Sequence, residues 1–202
     1  MIRTVVFDIG RVLIGASWKN YVRTRTAGEA ELQALEYIYW ESGLWNARDL
    51  GVMTEAEIYD RLRARAEEVD SVALFEDIEA HLGELVTRKD YAVEWVRELK
   101  RRGYRVLYLS NYGRRLMQAN WQGLDFLPLM DGGIFSCDVK LIKPDPAIYA
   151  LLRDSWSLHP EQTVFIDDRA ENVAAAEEMG FRGLRFTGYE ETHAALEAML
   201  RE

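Results

Sequence analysis

A single cysteine, Cys137, excludes an intramolecular disulfide, and only three histidines accompany it, so no Cys/His set is available for a structural zinc. Basic residues are outnumbered, with 25 Lys and Arg against 34 Asp and Glu, for a formal net charge of −9 and a pI of about 5.0. This balance argues against nucleic acid or an anionic membrane surface as the main partner, because both reward Lys and Arg. It does not forbid a small anionic substrate. No apolar run approaches the roughly 18 residues of a transmembrane helix. The opening stretch MIRTVVFDIG leads straight into a predicted strand with no basic-then-apolar leader, so the expected setting is cytoplasmic, in a reducing cytosol. Repeats, low-complexity tracts and flexible linkers are missing too. What is present is an apolar fraction of 49% over 202 residues. That suffices for a core, rules out wholesale disorder, and suits one medium domain or a compact domain with an insertion.

Short apolar runs predict strands at Thr4 to Phe7, Tyr104 to Leu109 and Thr163 to Ile166, with weaker ones at Gly183 to Phe186 and Gly133 to Ser136. Helices are predicted over Asp90 to Arg102, stopped by Gly103, over Asp145 to Trp156 after Pro144, and over Ala170 to Met179, ended by Gly180. The alternation implies an α/β fold with a mainly parallel, Rossmann-like sheet covered on both faces. Ligands of such sheets sit beyond the carboxyl ends of the strands. Residues 15–87 hold no convincing strand and offer helices instead, at Glu29 to Glu41, Thr54 to Glu68 and Ser71 to Val86. Thr54 and Glu57 make a capping box for the second of these. The expected division is a catalytic core of residues 1–14 and 88–202 with a small all-helical insertion, residues 15–87, after the first strand.

Four polar features punctuate the core. Asp8, followed by Ile9 and Gly10, ends the first strand; it can be nucleophile, metal ligand or cap, and by itself is most simply a turn organiser. Ser110 and Asn111 end the second strand, where a hydroxyl and backbone N–H groups can hold a phosphate oxygen, or merely satisfy a turn. Lys143 precedes Pro144, placed here at a helix start that aims the ammonium where it can neutralise charge developing on a phosphoryl group. A lone loop lysine is usually just solvated. Asp167 and Asp168 are adjacent carboxylates after an apolar strand, which repel unless a cation joins them. A hard, oxygen-seeking ion such as Mg²⁺ is the natural one.

In order and strand-end placement these features resemble the haloacid dehalogenase superfamily. The most specific matches are Lys143-Pro144-Asp145-Pro146-x-Ile148-Tyr149 and Asp167-Asp168-x-x-x-Asn172-Val173. The insertion corresponds to what that family calls a type-one cap. The resemblance implies that Asp8 attacks phosphorus to form an aspartyl-phosphate that water hydrolyses. It implies Mg²⁺ held by the Asp8 carboxylate, the Gly10 carbonyl and the acidic pair, with Asp168 the direct ligand and Asp167 behind it. Ser110, the backbone at Asn111 and Lys143 would hold the non-bridging oxygens. The expected activity is a Mg-dependent phosphatase for a small phosphorylated metabolite, a sugar phosphate.

The sequence departs from the family pattern at Gly10, where most of its phosphatases carry an Asp acting as general acid and base. A positioned acid is worth about 10²–10⁴-fold in rate. Its loss matters least for leaving groups that depart unaided, and the Asp-x-Gly start is similar to a subgroup of sugar-phosphate phosphatases. Lys140 stands where relatives commonly have Gly. Of the insertion's aromatics (Trp18, Tyr21, Tyr37, Tyr39, Trp40 and Trp45), one or two are expected to face the pocket, Trp18 first because it is nearest the hinge. His81, His159 and His193 lie outside the motifs and are expected to be structural or solvated. The alternatives are a haloacid dehalogenase-type hydrolase, disfavoured by the acidic pair, a phosphosugar mutase, disfavoured by Gly10, and a catalytically weak phosphate-binding or interaction module, which Gly10 keeps open.

Overall fold

A computed structural model describes residues 1–202, apart from the side chains of Ala16 and Lys19. Its strands are β1 (Thr4–Phe7), β2 (Ile14–Ala16), β3 (Val86–Arg88), β4 (Arg105–Ser110), β5 (Gly132–Phe135), β6 (Thr163–Asp167) and β7 (Arg182–Arg185). The helices up to β3 are α1 (Trp18–Arg23), α2 (Glu29–Tyr39), α3 (Leu44–Leu50), α4 (Glu55–Glu68) and α5 (Val72–Ala80). Those after it are α6 (Ala92–Arg101), α7 (Arg114–Ala119), α8 (Ser136–Val139), α9 (Pro146–Ser155), α10 (Ala170–Glu178) and α11 (Tyr189–Arg201).

Five strands form one parallel sheet in the order β5-β4-β1-β6-β7. β1 lies in the middle, paired to β4 and β6 on its two sides, and is buried throughout. A strand covered on both faces needs apolar residues at every position, which is why its sequence is an unbroken run rather than an alternation. The period of two still decides the partners. Val5 and Phe7, with Val164 and Ile166 of β6, join the core that holds Trp95 and Leu99 of α6 and Leu196 and Leu200 of α11. Val6, Phe165, Leu107 and Leu109 point the other way, into a second core with Ile148, Tyr149 and Leu152 of α9 and Ala175 and Ala176 of α10. Helices thus cover both faces, and the strand ends open on a single edge.

Between β2 and β3 the chain is helical. The Thr54 capping box forms: the Glu57 N–H donates to Thr54 Oγ1 at 3.2 Å and the Thr54 N–H to Glu57 Oε2 at 2.8 Å. Arg48 sits buried among these helices, forked onto Glu79 at 3.1 and 3.3 Å and onto Glu55 at 3.0 Å. The Tyr39 hydroxyl donates to the same Glu79 at 3.0 Å.

Several expectations need correction. Residues 15–87 are not strand-free: β2 and β3 pair antiparallel, Ile14 with Arg88 and Ala16 with Val86, at the two junctions of the helical segment. Three-residue strands that meet across the whole segment leave no local periodicity to detect. The helix predicted to reach Val86 stops at Ala80, with a 3₁₀ turn, Leu82–Leu85, before β3. Pro144 is not at a helix start, since α9 begins at Pro146 with Asp145 as its N-cap, accepting from the Ala147 N–H at 2.9 Å. α11, Tyr189–Arg201, is a further helix beyond those expected. Among the described residues no helix is long and apolar enough to cross a membrane.

Candidate active site

The central strand delivers Asp8 to the open edge. Its N–H continues the sheet by donating to the Ile166 carbonyl at 2.8 Å, and the residue is only 7% exposed. One carboxylate oxygen, Oδ1, lies 2.9 Å from Nζ of Lys143, which is itself buried and also lies 2.7 Å from Oδ2 of Asp167. One ammonium therefore sits between two carboxylates. Asp167 has little left to offer: it also accepts from Asn172 Nδ2 at 3.0 Å to each oxygen and from the Arg169 N–H at 2.9 Å. Asp168 is partly buried and pairs with Arg11 at 3.2 Å, an arginine whose side chain is 69% exposed. Such a pair contributes about 0–1 kcal/mol and yields easily to another cation.

Burial pushes the Asp8 carboxyl up to about 6, with Lys143 working against it and Asp167 reinforcing it. Asp168 is raised as well, chiefly by burial, with Arg11 opposing. Burial works against the Lys143 ammonium, but Asp8 and Asp167 outweigh it and its pKa is raised, so the charge is held. Carboxylate oxygens of Asp8, Asp167 and Asp168 lie within 4.8 Å of one another.

Ser110 is buried at the end of β4, and its Oγ has no hydrogen-bond partner among the described residues. Asn111 uses its side chain on Lys143: Nδ2 donates to the Lys143 carbonyl at 3.0 Å, and Oδ1 accepts from the Lys143 N–H at 2.8 Å. The amide thus clamps the lysine's backbone as a neighbouring strand would. Gly10 is conformationally ordinary, and a Cβ placed on it would meet nothing nearer than Asp8 Oδ2 at 3.9 Å. Space for a side chain exists there.

A cavity of about 680 Å³ separates this edge from α3. Asp8, Gly10, Asn111, Lys143 and Asp168 line one wall, and Asn46, Asp49, Leu50 and Val52 the other. Two contacts seat α3 there. Gly51, at its C-terminus, has φ +67° and packs so closely that a Cβ would stand 2.3 Å from the Cys137 carbonyl. The Ser136 hydroxyl donates to the Asp49 carbonyl and accepts from the Tyr112 N–H at 3.0 Å.

Asp8, Lys143, Asp167 and Asp168 are thus brought together, with Gly10 and Asn111 beside them. Trp18 is not among the residues lining the cavity. It packs against Tyr39, Trp40 and Trp45 with ring centroids 4.8, 5.6 and 5.4 Å away. Tyr21, Tyr37, Tyr39, Trp40 and Trp45 are outside the lining too: Tyr21 and Tyr39 are buried in the helical layer, Tyr37 and Trp45 are partly buried in it, and Trp40 is exposed on it. Lys140 adopts φ 57° at the end of α8 with an exposed side chain, a left-handed backbone conformation that favours glycine. The three histidines all lie away from the cavity. Arg11, Asn46, Asp49 and Asn172 were not assigned to the site from sequence. Only Asn172 left a signal, its fixed spacing from Asp167 in a quoted motif.

A central acid, a buried lysine and an acidic pair at the strand ends of a parallel sheet define a hydrolase class. The model of the haloacid dehalogenase-like hydrolases matches residues 2–180, and the chain belongs to that family. It is 27% identical, over 91% of its length and 82% of the relative's, to (S)-2-haloacid dehalogenase 4A of Burkholderia cepacia. It is also 27% identical, over 92% of its length and 90% of the relative's, to the sesquiterpene phosphatase astK of Aspergillus oryzae. A solved structure of a predicted HAD-like family hydrolase from Porphyromonas gingivalis is similar with a TM-score of 0.80 and 26% identity, covering 100% of this chain and 99% of that one. Other curated relatives are longer, and the chain spans 19% and 36% of two of them. Relatives at the same 27% identity include a dehalogenase and a phosphatase, so identity alone does not choose between carbon–halogen and phosphorus–oxygen chemistry.

Proposed function

We propose that the protein is a Mg-dependent phosphatase that hydrolyses a small phosphorylated metabolite, a sugar phosphate, in the cytoplasm through an aspartyl-phosphate on Asp8. The observation that carries this reading is the charge of the corner. Three carboxylates share it with one buried ammonium, and burial, with the neighbouring Asp167 adding to it, pushes the carboxyls of Asp8 and Asp168 up, which marks the uncompensated cost of negative charge there. A hard divalent cation relieves it, and the donor set of Asp8, Asp168 and the Gly10 carbonyl consists of the oxygens such an ion takes. Asp167 stands behind, holding Lys143. Bound there, Mg²⁺ would neutralise charge on the transferring phosphoryl group. Displacement of halide at carbon, by contrast, develops no charge on phosphoryl oxygens for such an ion to neutralise.

The chain's own groups have separable tasks. Asp8 presents a carboxylate oxygen to phosphorus, and the Lys143 ammonium beside it stabilises the non-bridging oxygens. The Ser110 hydroxyl, unpartnered among the described residues, is buried behind the cavity lining at the end of β4, and it would serve a phosphate oxygen that reaches that strand end. Asn111 keeps Lys143 in register. Residues 15–87 act as a cap over a core of residues 1–14 and 88–202, and α3 supplies the wall that would contact the organic part of the substrate. The test is phosphate release from a panel of sugar phosphates, acyl phosphates, nucleotides and short-chain phosphates, with and without Mg²⁺. Mg²⁺-dependent release that disappears in Asp8→Asn is expected. Chloride release from 2-haloacids without metal would favour the dehalogenase reading instead.

A further inference from the structure

With glycine at position 10, the strand-end wall lacks a group to protonate the leaving oxygen. The opposite wall carries one. We propose that Asp49, on α3, is the general acid and base of the reaction, supplied from the helical segment in place of a carboxylate at position 10. This rests on the phosphatase reading.

Among the described residues, the titratable ones lining the cavity are Asp8, Arg11, Asp49, Lys143, Asp168 and Arg169. Asp8 is the nucleophile, Lys143 is held between Asp8 and Asp167, and Asp168 is a metal ligand. The two arginines do not release protons at any ordinary pH. Asp49 is the remaining proton carrier. Its place is well fixed, since α3 is pinned by Gly51 against Cys137 and by the Ser136 hydroxyl on the Asp49 carbonyl itself. Its carboxyl lies against the Gly113 N–H and the Trp45 indole.

Its chemistry suits the task. Burial pushes the Asp49 carboxyl up to about 7, with Arg48 and the Gly113 N–H opposing and Glu55 adding to the rise. The charge of Arg48 is largely spent on Glu79 and Glu55. Tyr112 and Cys137, which face Asp49 from the core, have raised pKa values and stay neutral at pH 7. Asp8, Asp168, Lys143, Arg11 and Arg169 face it across the cavity. A carboxyl that titrates near the working pH both gives and takes a proton efficiently.

The steps balance. Asp8 Oδ forms a bond to phosphorus while the P–O bond to the leaving group breaks, and the oxygen that takes the electron pair receives the Asp49 proton. A water oxygen then bonds to phosphorus, giving a proton to the Asp49 carboxylate, and the phosphorus bond to Asp8 breaks. Inorganic phosphate leaves, with both carboxyl groups restored.

The test compares p-nitrophenyl phosphate, whose leaving group needs no proton, with glucose 6-phosphate, an unactivated alkyl phosphate. Asp49→Asn is expected to lower kcat on glucose 6-phosphate by about 10²–10³-fold and on p-nitrophenyl phosphate by less than about tenfold. The variant is also expected to lose the fall in activity above pH 7. Adding Gly10→Asp to Asp49→Asn is expected to recover about tenfold or more on the alkyl phosphate, since position 10 has room. The ratio between substrates is independent of how much variant folds. Equal losses on both substrates with an unchanged pH profile would overturn the assignment, as would unchanged rates, or wild type that turns over p-nitrophenyl phosphate alone. Absence of turnover of either substrate by wild type overturns the phosphatase reading itself.

Discussion

Two buried clusters in this molecule have nearly the same composition and opposite characters. At the strand ends Lys143 lies between Asp8 and Asp167, at 2.9 and 2.7 Å. In the helical segment Arg48 lies between Glu79 and Glu55, at 3.1 and 3.0 Å. The guanidinium is a fork, and it meets Glu79 with two nitrogens while Tyr39 donates to the same carboxylate. Glu79 is left without reactive capacity, and the cluster fastens helices together. Lysine is a point charge that two carboxylates share without saturating either. Asp167 finds further donors in Asn172 and Arg169, but Asp8 lines the cavity with its second oxygen on the Gly10 side. A buried ion pair becomes a site when one partner keeps an unspent oxygen facing a cavity.

The largest effect that sharpens this contrast is on activity. Asp8→Asn keeps the volume and removes the proposed nucleophile, so phosphate release should fall about 10³-fold or more while the circular dichroism spectrum stays that of wild type. The matching change in the other cluster acts on stability. Arg48→Met leaves Glu79 buried and uncompensated, and urea unfolding should show a loss of about 3–5 kcal/mol. The remaining folded protein should keep the Mg²⁺-dependent phosphate release proposed for wild type. If Arg48→Met cost no stability but abolished turnover, the two clusters would have been assigned the wrong way round.

A third effect is of intermediate size and follows from linkage. Asp49 has a folded pKa of about 7 against 3.8 for the free side chain. Between those values the folded protein keeps a proton that the unfolded chain has lost, so stability falls as pH rises through that window. Asp8, raised to about 6, acts with the same sign. The melting temperature of metal-free wild type should therefore drop from pH 5 to pH 8, and Asp49→Asn should drop less. An identical pH dependence in the two proteins would show that burial does not hold the Asp49 proton.

The smallest effect belongs to Asn111. Asn111→Ala removes two hydrogen bonds to the Lys143 backbone, which should cost about 1–2 kcal/mol in stability and lower kcat severalfold while the KM for phosphate esters stays nearly constant. A rise in KM with kcat unchanged would mean that the amide contacts substrate rather than positions the lysine.

What was legible in the sequence follows the same division. β1, β4 and β6 announce themselves because strands covered on both faces are mostly apolar along their length, and the polar residue that ends each run then stands out. Asp8, Ser110 and the Asp167-Asp168 pair were visible for that reason. Residues whose role depends on how separate elements meet were not. Arg48 and Glu79 are 31 residues apart and share no pattern. Asp49 is one acid among many on amphipathic helices until Gly51 and Ser136 fix which way α3 faces. Trp18 illustrates the converse: chain proximity to the hinge suggested a pocket residue, whereas packing drew it into the aromatic interior of the helical layer.

The account depends most on Asp8 acting as a nucleophile toward phosphorus. Rapid acid quench of the wild-type protein with Mg²⁺ and acetyl phosphate, followed by mass spectrometry of the peptide containing Asp8, tests this directly. The expected result is the added mass of one phosphoryl group on Asp8, absent without Mg²⁺ and absent in Asp8→Asn. Phosphate released at the wild-type rate by Asp8→Asn, or a carbon ester on Asp8 formed from a 2-haloacid without metal, would contradict it.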